Sequence, residues 1–315
     1  MNPVCSIVIR AYNEEAHIGR LLTGISHQTL KEVQVILVDS GSQDATAQIA
    51  SQYGAQIVNI APHEFTFGRS LNMGIEQAKA DFVVMASAHV YPVYPDWLEQ
   101  LLKPFESGRV ALTYGKQRGS ETTAFSEHQI FKTWFPDHAD LRQATPFCNN
   151  ANAAIRREMW EQNRYDDSLP GLEDLAWGQW AFEQNYALSY VPEAEVIHVH
   201  NESTGGIFNR YRREGMAFKR IYPHEDFRRR DLYRLFFKNV ISDWREAAHQ
   251  GVWGRQWRKI MQFRWNQFSG TYNGYRQSGP LTWQLKQAFY YPNPANGKSG
   301  QAKTRDVAPI SYQEK

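Results

Sequence analysis

The first 85 residues constrain the chain most, because short apolar runs alternate there with segments of helical spacing. Strands are expected over 4–9, 33–38, 56–59 and 82–85. Helices are expected over 16–25, from Asp44 to about residue 53, and over 69–78. Strands separated by helices build βαβ units, and these form a mostly parallel sheet with helices on both faces. Ligands of such sheets lie beyond the carboxyl ends of the strands. That rule selects four loops: after Arg10, after Val38, before Arg69 and after Met85.

Beyond residue 85 the pattern is less regular. Strands are expected over 110–117, 152–156, 188–191 and 196–200, and a helix over 172–185. A polar and aromatic insertion fills 120–145. From about Gly205 the spacing of Leu232, Leu235, Phe236, Val240, Ile241 and Trp244 is helical. The expected organisation is a main domain over 1–225, a helical extension over 226–290 and a disordered tail over 291–315, rich in Pro, Gly, Lys and Gln.

With 42% hydrophobic and 22% charged residues, the 315-residue chain can fill a sizeable core, which excludes wholesale disorder. Cys5 and Cys148 lack CxxC partners, so neither a disulfide framework nor a zinc knot is expected, and Cys5 reads as a buried thiol. The opening residues carry no charged leader, and no run of about 18 apolar residues occurs. These features predict a cytoplasmic protein. The net charge of +2 is unevenly spread. Residues 205–276 hold 16 Lys and Arg against 6 Asp and Glu. Such a split fits either an anionic partner or a solvated helical face.

Two loops carry the most specific signal. The first strand ends on Tyr12, Asn13 and Glu14, and the second on Asp39-Ser40-Gly41-Ser42-Gln43-Asp44. Asp39 can accept hydrogen bonds from a base or ribose, Gly41 permits a tight turn, and Asp44 suits a helix cap. These segments resemble the "SIVIPxYNE" and "VDxGSxDxT" motifs of family-2 glycosyltransferases, with Arg10 in place of the commoner proline. The resemblance covers about the first 200 residues. It implies an α/β chain of the GT-A nucleotide-diphospho-sugar transferase fold, Rossmann-like, with a C-terminal helical extension. It also implies that Ala11, Tyr12, Glu14 and Asp39 hold the donor nucleoside. Arg69, near a helix N-terminus, can reach a phosphate, or is an exposed surface arginine.

After the fourth strand the family pattern has Asp-x-Asp, whose carboxylate binds Mg²⁺ or Mn²⁺ on the donor diphosphate. This chain has Ser87-Ala88-His89. The segment resembles the Asp-x-His variant of polypeptide N-acetylgalactosaminyltransferases with its first aspartate changed to serine. His89 is therefore a metal ligand, a donor to the diphosphate, or a structural residue. Imidazole suits Mn²⁺ better than Mg²⁺. His198 and His200 alternate on an expected strand and so share a face. Many GT-A enzymes complete the metal site from this position.

The third landmark, Glu173-Asp174, resembles the acidic pair facing the acceptor. By that resemblance Asp174 is the catalytic base and Glu173 binds acceptor or donor. An acidic pair also suits a helix start for its dipole alone. Asn149, Asn150 and Asn152 can bond sugar hydroxyls, and Trp177 follows on the acceptor side. Arg210 and Arg213 are expected near the diphosphate. Trp253, Trp257, Met261, Trp265 and Phe268 recur among Arg255, Arg258, Lys259 and Arg264. Such a stripe suits either core packing or an anionic membrane surface.

The expected activity is inverting transfer from a nucleotide-sugar donor to a glycan or lipid-linked acceptor, in surface-polysaccharide synthesis. A divalent metal is expected as cofactor, subject to the altered motif. Peripheral contact with the inner membrane face is expected through the basic C-terminal part, and nucleic acid is not an expected partner. Two rivals are a sugar nucleotidyltransferase, which would need a Gly-rich loop after the first strand, and a non-catalytic nucleotide-sugar-binding protein.

Overall fold

The computed structural model describes residues 3–277, 279, 286, 290 and 307–312. β1 (Cys5–Ala11), β2 (Val33–Asp39), β3 (Gln56–Asn59) and β4 (Phe82–Ser87) lie parallel in the order β3-β2-β1-β4. The crossovers contain α1 (Ile18–Ser26), α2 (Thr46–Gln52) and α3 (Phe67–Glu76). In β1, Cys5, Ile7 and Ile9 join the core with Ile18, Leu21 and Leu22 of α1. The intervening Val8 joins the opposite core with Leu71 and Ile75 of α3. Both faces are thus apolar, as a helix-covered parallel strand requires. Burial pushes the Cys5 thiol up to about 12.

The sheet continues through β5 (Val90–Pro92), β6 (Val110–Gly119), β7 (Asn152–Arg156) and β8 (Ala187–His198), in the full order β3-β2-β1-β4-β7-β6-β8-β5. β7 runs antiparallel between β4 and β6, β8 is parallel to β6, and β5 is an antiparallel edge. The three-residue β5, one of them proline, has too short a signal to be read from sequence. The expected strands over 188–191 and 196–200 are instead the single β8. A register shift between Gly115 and Gln117 on β6 keeps it paired past Pro192, and it stops before His200. The connections hold α4 (Trp97–Leu102), α5 (Phe125–Trp134), α6 (Arg157–Gln162) and α7 (Glu173–Glu183). α5 arises inside the insertion expected over 120–145.

Three long helices follow: α8 (Thr204–Ile221), α9 (Arg229–His249) and α10 (Trp253–Tyr275). Leu232, Phe236 and Val240 of α9 bury against Ile260 and Phe268 of α10. The stripe on α10 is split, because Phe268 is inside while Trp253, Met261 and Trp265 are exposed. Arg264 is also buried and pairs with Asp243 through Nε at 2.8 Å and Nη2 at 2.9 Å. Among the described residues no helix is long and apolar enough to cross a membrane. Of the tail expected to be disordered, 291–306 and 313–315 lie outside the described residues. Within residues 307–312, Ile310 donates its amide to Val93 O and Tyr312 its hydroxyl to Pro92 O.

α8 and α10 approach closely at Gly215, Gly270 and Gly274. A Cβ at Gly274 would collide with backbone atoms of Arg212 and Met216. Gly274→Val should push the helices apart and destabilise the protein by about 1–3 kcal/mol. Thermal or urea unfolding measures this, and a midpoint equal to wild type would refute the close packing.

Candidate active site

The β1 and β2 loops form one laced unit at the sheet's carboxyl edge. Asn13 takes φ of 52° and Gly41 φ of 91°, left-handed conformations that asparagine and glycine tolerate. Asn13 N–H donates to Ser42 Oγ, and Gln43 N–H donates to Asn13 Oδ1. Glu14 N–H donates to Thr46 Oγ1, and Glu15 N–H to Asp44 Oδ2. Asp44 thus acts one residue outside the cap of α2, which is Ala45, and also receives Thr46 N–H. Ala11 O accepts from Ser40 N–H at 3.0 Å. Tyr12 is half-buried at the start of its loop. Asp39 is buried, and its Oδ2 accepts from the amides of Gly41 and Ser42. Its Oδ1 is buried without a hydrogen-bond partner. An unfilled buried acceptor is costly unless a ligand donates to it.

Glu14 is not placed with the nucleoside-side groups as expected. Its Oε1 lies 2.7 Å from His89 Nδ1, in the turn between β4 and β5. Burial disfavours the imidazolium, but the Glu14 carboxylate outweighs it and holds His89 above the usual imidazole range. His198 and His200 converge on the same point, with their Nε2 atoms 3.0 Å apart. His89, His198 and His200 each offer a ligand atom within 4.8 Å of the others. Burial, then the charges of His200 and His89, hold His198 well below the usual range. Each ring meets an acceptor through Nδ1: Glu14 for His89, Gln117 for His198 and Glu127 for His200. The Nδ1 contacts orient the rings as in metal-binding histidines; an ion on the Nε2 atoms would replace the 3.1 Å contact of His89 Nε2 with Ser87 Oγ and the 3.0 Å contact between His198 and His200. The donor set therefore fits a divalent metal.

Arg210 is drawn away from its expected diphosphate role. It pairs with Glu127 at 2.6 Å and Glu202 at 2.7 Å. Burial works against the Glu127 carboxylate, yet Arg210 and His200 outweigh it and bring Glu127 down to about 2. Glu127 and Gln117 were missed by sequence reading, since a lone acid in a polar insertion and a glutamine in a strand carry no motif. Arg69 follows the second of its two readings, the exposed arginine. Its side chain is 43% exposed and pairs with Glu64. Arg213 lies over the Phe67 ring, 4.7 Å from its centroid.

Glu173 and Asp174 open α7 directly after Leu172, whose φ is 55°. A leucine in this region is strained, and such strain clusters at functional sites. Glu173 Oε1 meets Arg10 Nη1 at 2.8 Å. Asp174 Oδ2 accepts from Asn150 N–H and Oδ1 from Leu175 N–H. Burial, reinforced by the Glu173 carboxylate, pushes Asp174 up to about 7. Asn150 is buried and its Nδ2 has no hydrogen-bond partner. Asn149 Oδ1 accepts from Ala151 N–H. Two expectations are corrected here. Trp177 is fully buried and donates Nε1–H to Asn163 O, so it packs beneath α7 and does not face an acceptor. Asn152 is likewise buried, accepting from Trp97 Nε1–H and donating to Lys116 O and Ala194 O.

Comparison with known proteins agrees with this layout. Residues 6–163, half of the chain, match the glycosyl transferase family 2 model. The chain is similar to the O-antigen chain rhamnosyltransferase WbaN of Salmonella anatum, 28% identical over 66% of this chain and 70% of that protein. It is also similar to the O-antigen chain rhamnosyltransferase RfbN of Salmonella typhimurium, 25% identical over 65% and 69%. Among solved structures it shares its fold with the mannosyltransferase PcManGT of Pyrobaculum calidifontis, which was solved with GDP-Man and Mn²⁺. That match has a TM-score of 0.59 and 15% identity, and it covers 87% of both chains. With the nucleotide-type loops, the histidine cluster and the acidic pair all on one sheet edge, the chain belongs to glycosyl transferase family 2 and has the GT-A fold.

Proposed function

We propose that this glycosyltransferase inverts configuration as it moves a sugar from a nucleotide-sugar donor to a glycan or lipid-linked acceptor. The observation that carries the reading is the half-buried Asp174 carboxyl, held by the Asn150 and Leu175 amides and pushed up to about 7 by loss of water and by Glu173, on the sheet edge that also holds Asp39. A base poised near the working pH transfers protons well. Asp174 takes the proton of the acceptor hydroxyl as that oxygen bonds to the anomeric carbon. The bond from that carbon to the diphosphate breaks on the opposite face. Asp39 Oδ1 accepts from the nucleoside, beside Ala11 and Tyr12, and Asn150 Nδ2 donates to a sugar hydroxyl. Glu173 and Asn149 flank the acceptor side, and Arg213 stands over Phe67 toward the diphosphate. A divalent ion held by His89, His198 and His200 would neutralise the leaving group. The likeness to two O-antigen rhamnosyltransferases supports a role in surface-polysaccharide synthesis.

Asp174→Asn should lower kcat by about 10²–10⁴-fold while nucleoside diphosphate affinity, read by calorimetry, stays unchanged. Because the base must be ionised, wild-type kcat should fall as pH drops below about 7. A variant that keeps a tenth or more of wild-type kcat, or a flat profile from pH 6 to 8, would remove Asp174 from this role.

Chelation by EDTA should abolish transfer, and Mn²⁺ should restore it better than Mg²⁺ in wild type but not in His89→Ala. Full activity in excess chelator would instead leave His89 and Arg213 to hold the diphosphate.

The α9–α10 pair presents a surface suited to an anionic bilayer. Tyr233, Phe237 and Ile241 are exposed on successive turns of α9, and Met261 and Trp265 on α10. Tyr233 lies 6.4 Å from Trp265, centroid to centroid. Exposed Arg234, Lys238, Arg258 and Lys259 are interleaved with them. Aromatic residues with basic neighbours suit the headgroup region. Wild type should sediment with phosphatidylglycerol vesicles at low salt. Phe237→Ser with Trp265→Ser, or high salt, should release it. Sedimentation indifferent to both changes would rule out this surface.

A further inference from the structure

Arg10 lies at the end of β1, next to the nucleoside loop, yet its side chain turns toward α7. Its guanidinium carbon sits 4.7 Å from the Phe67 centroid, and its Nη1 meets Glu173 Oε1 at 2.8 Å. The side chain of Arg10 is 14% exposed and that of Glu173 is 5% exposed. The pair is thus mostly withdrawn from water, where an unpaired charge is expensive. Phe67 also carries Arg213, which packs against Gly171 just before the acidic pair.

The problem this arrangement solves is chemical. Two adjacent carboxylates, Glu173 buried and Asp174 half-buried, cannot both be ionised freely, and one of them tends to keep a proton. A planar guanidinium paired with one carboxylate offsets the charge that the other feels. We propose that Arg10 is a positioning residue whose ion pair with Glu173 offsets that carboxylate's charge at Asp174 and so leaves Asp174 able to exchange the acceptor proton. This rests on the reading of Asp174 as base. The other groups facing Asp174 carry no charge that could do this. Asn150 and Leu175 supply amides, and burial keeps the Cys148 thiol and the Tyr165 phenol protonated.

The test needs no substrate. Protein labelled with ¹³C at aspartate carboxyl carbons is titrated by NMR, and Asp174 is assigned from the signal lost in Asp174→Asn. Wild type should titrate near 7. In Arg10→Met the Asp174 titration should rise by about one unit or more, because Glu173 loses its counter-charge. Arg10→Met with Glu173→Gln should bring it back to the wild-type value or below. Circular dichroism checks that the variants fold. Arg10→Lys, which keeps the charge but not the fork, should shift in the same direction by less. No resolvable shift in either Arg10 variant, or a rise that persists when Glu173 is also neutral, would overturn the proposal. Transfer retained by Asp174→Asn would instead overturn the base assignment, whatever the titration shows.

Discussion

The contact between Arg10 and Glu173 joins the two halves of the site. Arg10 ends the strand that leads into the nucleotide-type loop, and Glu173 begins the helix that carries Asp174. These residues are 163 positions apart, so the ion pair is a long-range contact that exists only once β1 and α7 have been brought together. Its partial burial makes geometry exacting, because losing either partner leaves the other charge in a poor environment. The stack on Phe67 ties the pair to α3 as well. Three elements from distant parts of the chain thus converge on one guanidinium.

The same rule of compensated charge organises the histidine cluster. Three imidazoles this close repel one another once protonated, and His198 stays neutral for that reason and because it is buried. His89 and His200 each lean on a carboxylate, Glu14 and Glu127. Glu127 is in turn held ionised by Arg210. The site therefore presents three imidazoles at its centre, with the negative charge one layer back. That arrangement suits borderline metals such as Mn²⁺ better than hard Mg²⁺. It also explains why two residues expected to touch the donor, Glu14 and Arg210, touch protein groups instead.

The first half of the fold was legible because each parallel strand is a short apolar run and each crossover has helical spacing. Strand ends were less certain by one or two residues, and those residues, Ala11, Asp39 and Ser87, are at the ligand edge. Motif residues could be located from sequence, but their contacts could not. Trp177 follows the acidic pair, yet helical periodicity turns it into the core. Asn152 lies among plausible sugar ligands, yet a polar residue on a central strand serves the backbone atoms of its neighbours. His198 and His200 were expected to meet through strand alternation. They do meet, but across the end of β8, because pairing stops before His200. Glu127, Gln117 and the role of Arg10 depend on long-range contacts that no local pattern encodes.

The helical part is more than an appendage to this site. Arg210 and Arg213 both come from α8, so the N-terminal turns of that helix complete the histidine and Phe67 clusters. α8 in turn lies on α10 with glycines at the crossing, where backbones touch and sliding is sterically opposed. α10 carries Trp265 on its outer side and buries Arg264 against Asp243 of α9 on its inner side. A surface that rests the aromatic face of α9 and α10 on a bilayer would thereby fix the orientation of α8. Through Arg210 and Arg213 it would also fix the sheet edge proposed to receive the acceptor. The basic charge concentrated after Gly205 then has two separable uses: part of it is buried to hold the site together, and the remainder faces outward on the same helices.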